Sequence, residues 1–69
     1  MSKIKIILNG EEKFLPQKTT IAKLIEEYQL DVKKIAIEKD FEIVNPQNFS
    51  SVIVDDGSRI EIVHFIGGG

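Results

Sequence analysis

Apolar and polar residues alternate at the start of the chain, from position 3 to position 8. A period of two is typical of a β-strand that buries one of its faces. The apolar residues on the face that we expect to be buried are Ile4, Ile6 and Leu8. The dipeptide Asn9-Gly10 follows, and this pair readily adopts the positive φ angles of a tight hairpin turn. The pattern therefore predicts an antiparallel return strand at positions 11–15, which Pro16 ends.

The period of the apolar residues changes after Pro16, from that of a strand to that of a helix. These residues would fall within about a 100° arc of a helix. They are Ile21, Leu24, Ile25 and Tyr28. We expect one amphipathic helix of about ten residues. Thr19 or Thr20 is the expected N-cap, because a threonine hydroxyl can accept a hydrogen bond from a backbone N–H group of the first turn.

Two shorter apolar runs follow the predicted helix, at Ile35 to Glu38 and at Phe41 to Val44. We interpret both as strands, joined by a turn at Lys39-Asp40. Positions 47–53 show no clear period, and we expect their apolar residues to enter the core from a loop or a single helical turn. Those residues are Phe49, Val52 and Ile53.

The last predicted strand runs from Arg59 to Ile66 and follows a turn at positions 55–58. Ile60 and Ile62 fall on one face of this strand, and Val63 and Phe65 fall on the other. The first and last strands carry the strongest apolar alternation. We therefore expect these two strands to lie side by side in the middle of a sheet.

The order of elements, a hairpin, one helix and then further strands, is typical of the α+β class. We predict a mixed sheet of four to five strands that packs one face on the main helix. The other face is left to solvent or to a partner. All 69 residues should form one domain, folded over 1–66, and the glycines at 67–69 should form a flexible tail.

Composition and charge argue against several classes of function. The formal net charge is -2 and the pI is near 5.3, whereas a protein that binds nucleic acid usually presents a basic patch. No stretch approaches the roughly 20 apolar residues of a membrane span, and the first residues lack the apolar segment of a signal peptide. We therefore expect a soluble, cytoplasmic protein that is monomeric when free.

The chain has few side chains that could perform chemistry, with one histidine, His64, and no cysteine. A lone histidine in a strand more often packs or contacts a partner than acts as a base. The pair Asp55-Asp56 before Gly57 lacks the further oxygen ligands of a calcium loop, so we interpret it as a solvated turn. The sequence predicts a protein that is not an enzyme and that binds no metal or cofactor itself.

The sequence ends on three consecutive glycines, Gly67, Gly68 and Gly69. Without Cβ atoms, such a segment can pass through a channel that is too narrow for side chains. The α-carboxylate of Gly69 would be ionised and a poor electrophile, so a partner would have to activate it, for example by transfer of AMP from ATP. A sulfur or nitrogen nucleophile could then take the acyl carbon. Alternatively, the three glycines could be a frayed end or a cloning remnant without a function.

Taken together, these features resemble the ubiquitin-like β-grasp fold, and they are most similar to the ThiS/MoaD family of sulfur carrier proteins. The resemblance covers the whole chain. It is carried by Val44-Asn45-Pro46 with Phe49 close behind, the Asp56-Gly57 turn and the ending Val63-His64-Phe65-Ile66-Gly67-Gly68-Gly69. Within the family the ThiS branch, which serves thiamine biosynthesis, is the more similar.

The resemblance implies a cycle of loading and unloading at Gly69. An E1-like adenylyltransferase of the ThiF type would use ATP and magnesium to adenylate this residue. Sulfur that originates from a cysteine desulfurase would convert the adenylate to a thiocarboxylate, which would donate its sulfur to a thiazole synthase of the ThiG type. Gly67 and Gly68 would thread into the active sites of these partners.

Partner docking is expected on Val63, Phe65 and Ile66, because the alternation puts the first two on the face away from the helix. The same side chains could instead serve cross-strand packing. Three other functions remain open from the sequence. These are the small subunit of molybdopterin synthase, a ubiquitin-like protein modifier, and a plain binding module in which the tail has no role.

Overall fold

The computed structural model describes residues 3–65 of the chain. Five strands and one α-helix occur in this part, together with two short 3₁₀ turns at Val32–Lys34 and Pro46–Asn48. The strands are β1 (Lys3–Leu8), β2 (Glu11–Pro16), β3 (Ile35–Lys39), β4 (Glu42–Ile43) and β5 (Arg59–His64), and the helix is α1 (Ile21–Glu27). Among residues 3–65, no helix has the length and apolar character that a bilayer crossing requires.

The five strands form one mixed sheet in the order β2-β1-β5-β3-β4. β1 and β5 run parallel, and the other neighbouring pairs are antiparallel. The first and last strands are therefore neighbours and β5 is the central strand, which confirms both the α+β architecture and this adjacency. The parallel contact is short, since only Ile7 and Leu8 pair with β5, opposite Arg59 and Ile60.

The β1–β2 turn has the conformation that its sequence predicts, with φ angles of 49° at Asn9 and 84° at Gly10. Asn9 also ties the hairpin to the central strand. Its backbone N–H donates to the carbonyl of Ile60 at 2.9 Å, and its side-chain Oδ1 accepts from the backbone N–H of Ile62 at 2.8 Å. A turn signal that is local in the sequence thus also helps to fix β1 against β5.

Helix α1 has seven residues rather than the ten expected, and its N-cap is Thr20, whose side chain accepts from the N–H of Lys23 at 3.0 Å. The helix ends early because the chain turns back on itself in a Schellman motif. Gln29 has a φ of 55°, and the N–H of Leu30 donates to the carbonyl of Ile25 at 3.0 Å. Tyr28 is consequently an exposed C-cap and not part of the buried stripe.

The buried face of the sheet and helix α1 enclose one hydrophobic cluster. Its buried members are Ile4, Ile6, Leu8, Leu15, Ile21, Leu24, Ile25, Ile35, Ile37, Val44, Phe49, Val54 and Ile60. Phe49 is buried and Val52 packs against the cluster, as the sequence indicated. The prediction for Ile53 was wrong, because this segment is extended and alternates. Ile53 faces out while Val54 faces in and is only 1% exposed.

Two strand boundaries differ from the sequence expectation. β3 continues through Lys39, so the turn falls at Asp40-Phe41 and leaves only two residues for β4. The turn moves because the N–H of Asp40 donates to the carbonyl of Arg59 at 2.8 Å, which binds it to the start of β5. β5 itself ends at His64 and not at Ile66. Ile66 and the three glycines at 67–69, including the predicted flexible tail, lie outside the described residues.

Candidate functional site

The described end of β5 lies where the predicted tail would begin. In this region β5 pairs only with β3, His64 opposite Ile35 and Val63 opposite Ala36. One further bond follows, from the N–H of Phe65 to the carbonyl of Lys34 at 2.8 Å. The described chain is thus held to the sheet by backbone hydrogen bonds up to Phe65.

Val63 and Phe65 are exposed to solvent, at 51% and 55% respectively. Val63 lies on the sheet face opposite helix α1, because Ile60 and Ile62 take the other face. We call this outward surface of the sheet the open face. Cross-strand packing covers part of Val63 through its partner Ala36, and half of its surface still remains free for a partner. The third predicted docking residue, Ile66, and the predicted carrier residues Gly67, Gly68 and Gly69 are not among the described residues.

Charged side chains surround the apolar ones on the open face. Lys5 pairs with Glu12 at 3.4 Å between Nζ and Oε2, and Arg59 pairs with Glu61 at 3.2 Å between a guanidinium nitrogen and Oε1. Exposed pairs of this kind add little to stability. They keep the face soluble, and an apolar centre with a polar rim is typical of a protein–protein interface.

His64 lies on the helix side of the sheet, since it continues the alternation of Ile60 and Ile62. It borders a shallow depression of about 330 Å³ together with Tyr28 and Leu30. Within residues 3–65, no group of three or more His, Cys, Asp or Glu side chains lies close enough together to hold a metal ion.

The acidic pair at positions 55 and 56 has structural partners. Asp56 Oδ1 accepts from the backbone N–H of Lys5 at 2.8 Å, and Asp55 Oδ2 lies 3.2 Å from Lys39 Nζ. The N–H of Gly57, at a φ of 85°, donates to the carbonyl of Lys5 at 2.7 Å. This turn fastens the start of β5 to β1, and both carboxylates are used in the structure itself.

Lys39 and Asp40 form an ion pair at the β3–β4 turn. Burial alone would lower the pKa of Lys39, but its hydrogen bonds and ion pairs with Asp55 and Asp40 outweigh this and raise the pKa. A hydrogen bond from the backbone N–H of Arg59, at 2.9 Å, holds the pKa of Asp40 below its ordinary value, with a smaller contribution from Lys39. The ionised form of Asp40 therefore stabilises the turn.

Replacement of Asp40 by asparagine should reduce the pH dependence of stability. A carboxyl whose pKa is lowered by folding contributes stability above its ordinary pKa, and this is lost as the pH falls through the folded value. Asp40→Asn keeps an oxygen that can accept from Arg59 but does not titrate. Urea unfolding should show that wild type has a larger free energy of unfolding than Asp40→Asn at pH 7. This difference should become smaller as the pH is lowered to about 3.

Asp40→Asn should lower the free energy of unfolding at pH 7 by about 1 kcal/mol or less, because the Asp40 side chain is half exposed to solvent. Glu27→Gln, at an exposed carboxylate of α1, is the matched control and should keep the wild-type pH profile. An unchanged profile for Asp40→Asn would mean that the hydrogen bond to Arg59 does not stabilise the charge.

The sequence did not identify Phe41 and Ile43 as surface residues, although each is 75% exposed. Ile43 lies on the open face, since it is paired with Glu38, which alternates with buried Ile37. Phe41 has a φ of 72°, a conformation that costs a non-glycine residue about 1–2 kcal/mol. The only sequence feature that could have indicated an exposed Phe41 was its position directly after Asp40, between two short apolar runs. An aromatic residue in that position is equally compatible with the start of a strand.

A family model, a related sequence and a solved structure all match this chain to the same protein family. The model of the ThiS family matches residues 3–69. The sulfur carrier protein ThiS of Bacillus subtilis is 40% identical over 63 residues, which cover 90% of this chain and 96% of that protein. The crystal structure of the thiamine biosynthesis protein ThiS from Geobacter metallireducens has the same fold. Its TM-score is 0.83 at 20% identity, with 96% of this chain and all of that chain covered.

Two longer relatives carry a different name. A thiazole synthase of Paramagnetospirillum magneticum is 41% identical over 66 residues, and one of Magnetococcus marinus is 35% identical over 66 residues. The matches cover 96% of this chain but only 20% of each synthase. The chain thus spans about a fifth of the length of these relatives.

Proposed function

Because this chain belongs to the ThiS family, we propose that it is a sulfur carrier protein of thiamine biosynthesis, with the α-carboxylate of Gly69 as the carrier group. The observation that supports this most is the extent of the family match, which runs through Gly69. The near-complete coverage of the sulfur carrier of Bacillus subtilis supports it further. In this function the chain is a co-substrate, and the catalytic groups belong to its partners.

The chemistry at Gly69 follows from the properties of a carboxylate. It is ionised at neutral pH, with an ordinary pKa of roughly 3.5, and it does not react with nucleophiles until one oxygen becomes a leaving group. Attack of the carboxylate on the α-phosphorus of ATP forms the acyl-adenylate and releases pyrophosphate. A sulfur nucleophile then displaces AMP from the acyl carbon. If that sulfur belongs to a persulfide, a thiol must reduce the acyl disulfide to free the thiocarboxylate.

The proposed partners supply what this chain lacks. An E1-like, ThiF-type adenylyltransferase would bind ATP and magnesium, and a cysteine desulfurase would provide the sulfur. Gly67 and Gly68 would let the carrier group enter active sites that exclude side chains. Val63, Phe65 and Ile66 would dock the domain at the entrance, since the first two are exposed apolar residues beside the start of the tail.

A thiazole synthase is the proposed acceptor of the sulfur. The support for this comes from the two longer relatives, which are named thiazole synthases and contain a segment similar to this chain. A carrier domain in the same polypeptide as a synthase would have a high effective concentration at its active site. A carrier that is a separate polypeptide would need a docking surface to reach the same site.

Introduction of a charge at Val63 should weaken docking without unfolding the domain. Val63→Asp would bury a carboxylate in the interface, and we expect the affinity for the synthase to fall at least about tenfold. Ile53→Asp is the matched control, because Ile53 is exposed to a similar extent but lies outside the sheet. Calorimetric titration measures the affinities. Equal affinities for Val63→Asp and wild type would exclude Val63 from the interface.

The function as a whole can be tested by growth. A bacterial strain that lacks its own carrier and requires the thiazole moiety should grow without it when this chain is expressed. No rescue, with soluble and folded protein in the cells, would count against the thiamine function. Rescue of a molybdopterin-deficient strain instead, or conjugates of higher mass that depend on Gly69, would favour the molybdopterin or the protein-modifier alternative.

A further inference from the structure

In the β3–β4 turn, a phenylalanine occupies a backbone conformation that favours glycine. Both central residues, Asp40 and Phe41, have positive φ angles, 51° and 72°, as in the hairpin turns that favour Asn-Gly. Asp40 holds this geometry, because its N–H donates to the Arg59 carbonyl and its Oδ1 accepts from the Arg59 N–H. Phe41 makes no such bond and could be replaced by glycine with less strain.

The ring of Phe41 adds little to the fold. It is 75% exposed, and the guanidinium carbon of Arg59 lies 5.1 Å from the ring centroid. An exposed contact of this kind is weak, and Arg59 is already paired with Glu61. A strained residue with an exposed aromatic ring indicates a role in binding rather than in folding.

Ile43 is two residues from Phe41 in the sequence and is equally exposed. It sits on the open face, two strands from Val63, and its cross-strand partner Glu38 is two residues from Ala36, the partner of Val63. With ordinary strand spacings, Ile43 and Val63 are roughly 12 Å apart. One partner protein can therefore contact both, since a typical interface extends over about 800 Å² on each side.

Three acidic residues lie near Phe41 and Ile43 in the β3–β4 hairpin. Asp40 precedes Phe41 in the turn, Glu38 lies opposite Ile43 on the open face, and Glu42 lies between them on the edge strand with its pairing partner Lys39 on the other face. Neither Glu38 nor Glu42 has an ion-pair partner among residues 3–65. This part of the surface complements an apolar pocket with lysine or arginine at its rim.

We propose that Phe41 and Ile43 form an aromatic anchor that inserts into a basic-rimmed apolar pocket of the thiazole synthase. The inference rests on the proposed function and adds a second contact, next to that of Val63. The charge complementarity defines the kind of pocket, and the similar segments within the longer thiazole synthases indicate the partner. The anchor would fix the rotation of the domain, which Val63 and the tail alone leave free.

Phe41→Gly separates a role in binding from a role in folding, because the two predict opposite results. The domain should melt at the wild-type temperature or above it, since glycine accepts the positive φ. The affinity for purified thiazole synthase, measured by calorimetric titration, should fall at least about tenfold, as for loss of an aromatic hot spot. Phe41→Asn, which also tolerates this conformation, should give the same pair of results.

Phe14→Ser is the matched control, because Phe14 is an exposed aromatic residue on the far edge strand β2. It should bind the synthase as wild type does. The double variant Glu38→Gln, Glu42→Gln should bind more weakly at low salt and show a smaller loss of affinity as salt is added. Both results would support the anchor and its basic-rimmed pocket.

Three results would overturn the inference. One is wild-type affinity of Phe41→Gly for the synthase, the second is an equal loss for Phe14→Ser, and the third is a loss of affinity for the activating enzyme in place of the synthase. Sulfur loading of wild-type protein, followed by mass spectrometry, separates these from failure of the proposed function. A wild type that loads sulfur, with a Phe41→Gly variant that binds normally, contradicts the anchor alone.

Discussion

Removal of Gly69 is expected to abolish sulfur loading and growth rescue, while the midpoint of thermal unfolding stays at the wild-type value. The shortened chain would end on Gly68, whose carboxylate falls short of the activating site by one residue, roughly 3.5 Å. A misplacement of about 1 Å can already cost on the order of a hundredfold in rate. Stability should not change, because the buried residues of the described chain lie between Ile4 and Ile60.

Gly69→Ala is the control for chain length. It keeps the position of the terminal carboxylate and adds one methyl group next to the reacting carbon. We expect slow loading of this variant, in contrast to none for the deletion. Growth without the thiazole moiety by the strain that carries the deletion would show that Gly69 is not the carrier residue.

Ile60→Ala is expected to be the most destabilising single truncation on the central strand. Ile60 is fully buried on β5, opposite Leu8 of β1 and Lys39 of β3. Truncation of such a residue costs about 2–5 kcal/mol. A domain of this length has a total stability of roughly 3–10 kcal/mol, so the variant should unfold at much lower urea concentration or already be partly unfolded in buffer.

Val63→Ala, on the same strand, is the control for Ile60→Ala. Its side chain is half exposed, and we expect a loss below about 1 kcal/mol. Urea unfolding followed by circular dichroism measures both variants. Equal midpoints for the two would contradict the position of Ile60 at the centre of the core.

Much of the fold follows from local patterns. The alternation at positions 3–8 and the Asn9-Gly10 turn specify a hairpin, because a period of two and a turn with positive φ angles agree. The strong alternation of the first and last strands also indicated their adjacency. The family match and the fold of the solved ThiS structure confirm the resemblance to the ubiquitin-like sulfur carriers.

The errors arise where distant contacts decide a local conformation. Gln29 ends the helix at a positive φ that its identity does not signal, and the backbone bond from Asp40 to Arg59 places a turn where an apolar run indicated a strand. Val54 is buried because its N–H donates to the Thr19 carbonyl at 2.8 Å, which fixes the register of that segment. Such bonds cannot be read from sequence periodicity alone.

In the candidate site, too, some residues could be predicted from local spacing and others could not. The exposure of Val63 and Phe65 followed from the alternation along the last strand, which depends on residue spacing alone. Phe41 and Ile43 could not be identified from the sequence, because their exposure depends on the shift of the turn by one residue. The roles of Ile66 and of Gly67, Gly68 and Gly69 remain predictions from the family resemblance and from the chemistry of a terminal glycine.

The most direct test of the account is the intact mass of the purified chain after incubation with ATP, magnesium, the activating enzyme and a sulfur source. We predict a mass gain equal to the exchange of one oxygen for one sulfur, dependent on ATP and located by fragmentation on Gly69. An unchanged mass, with active partners and folded protein, would contradict the sulfur carrier function, as would a gain located on any other residue.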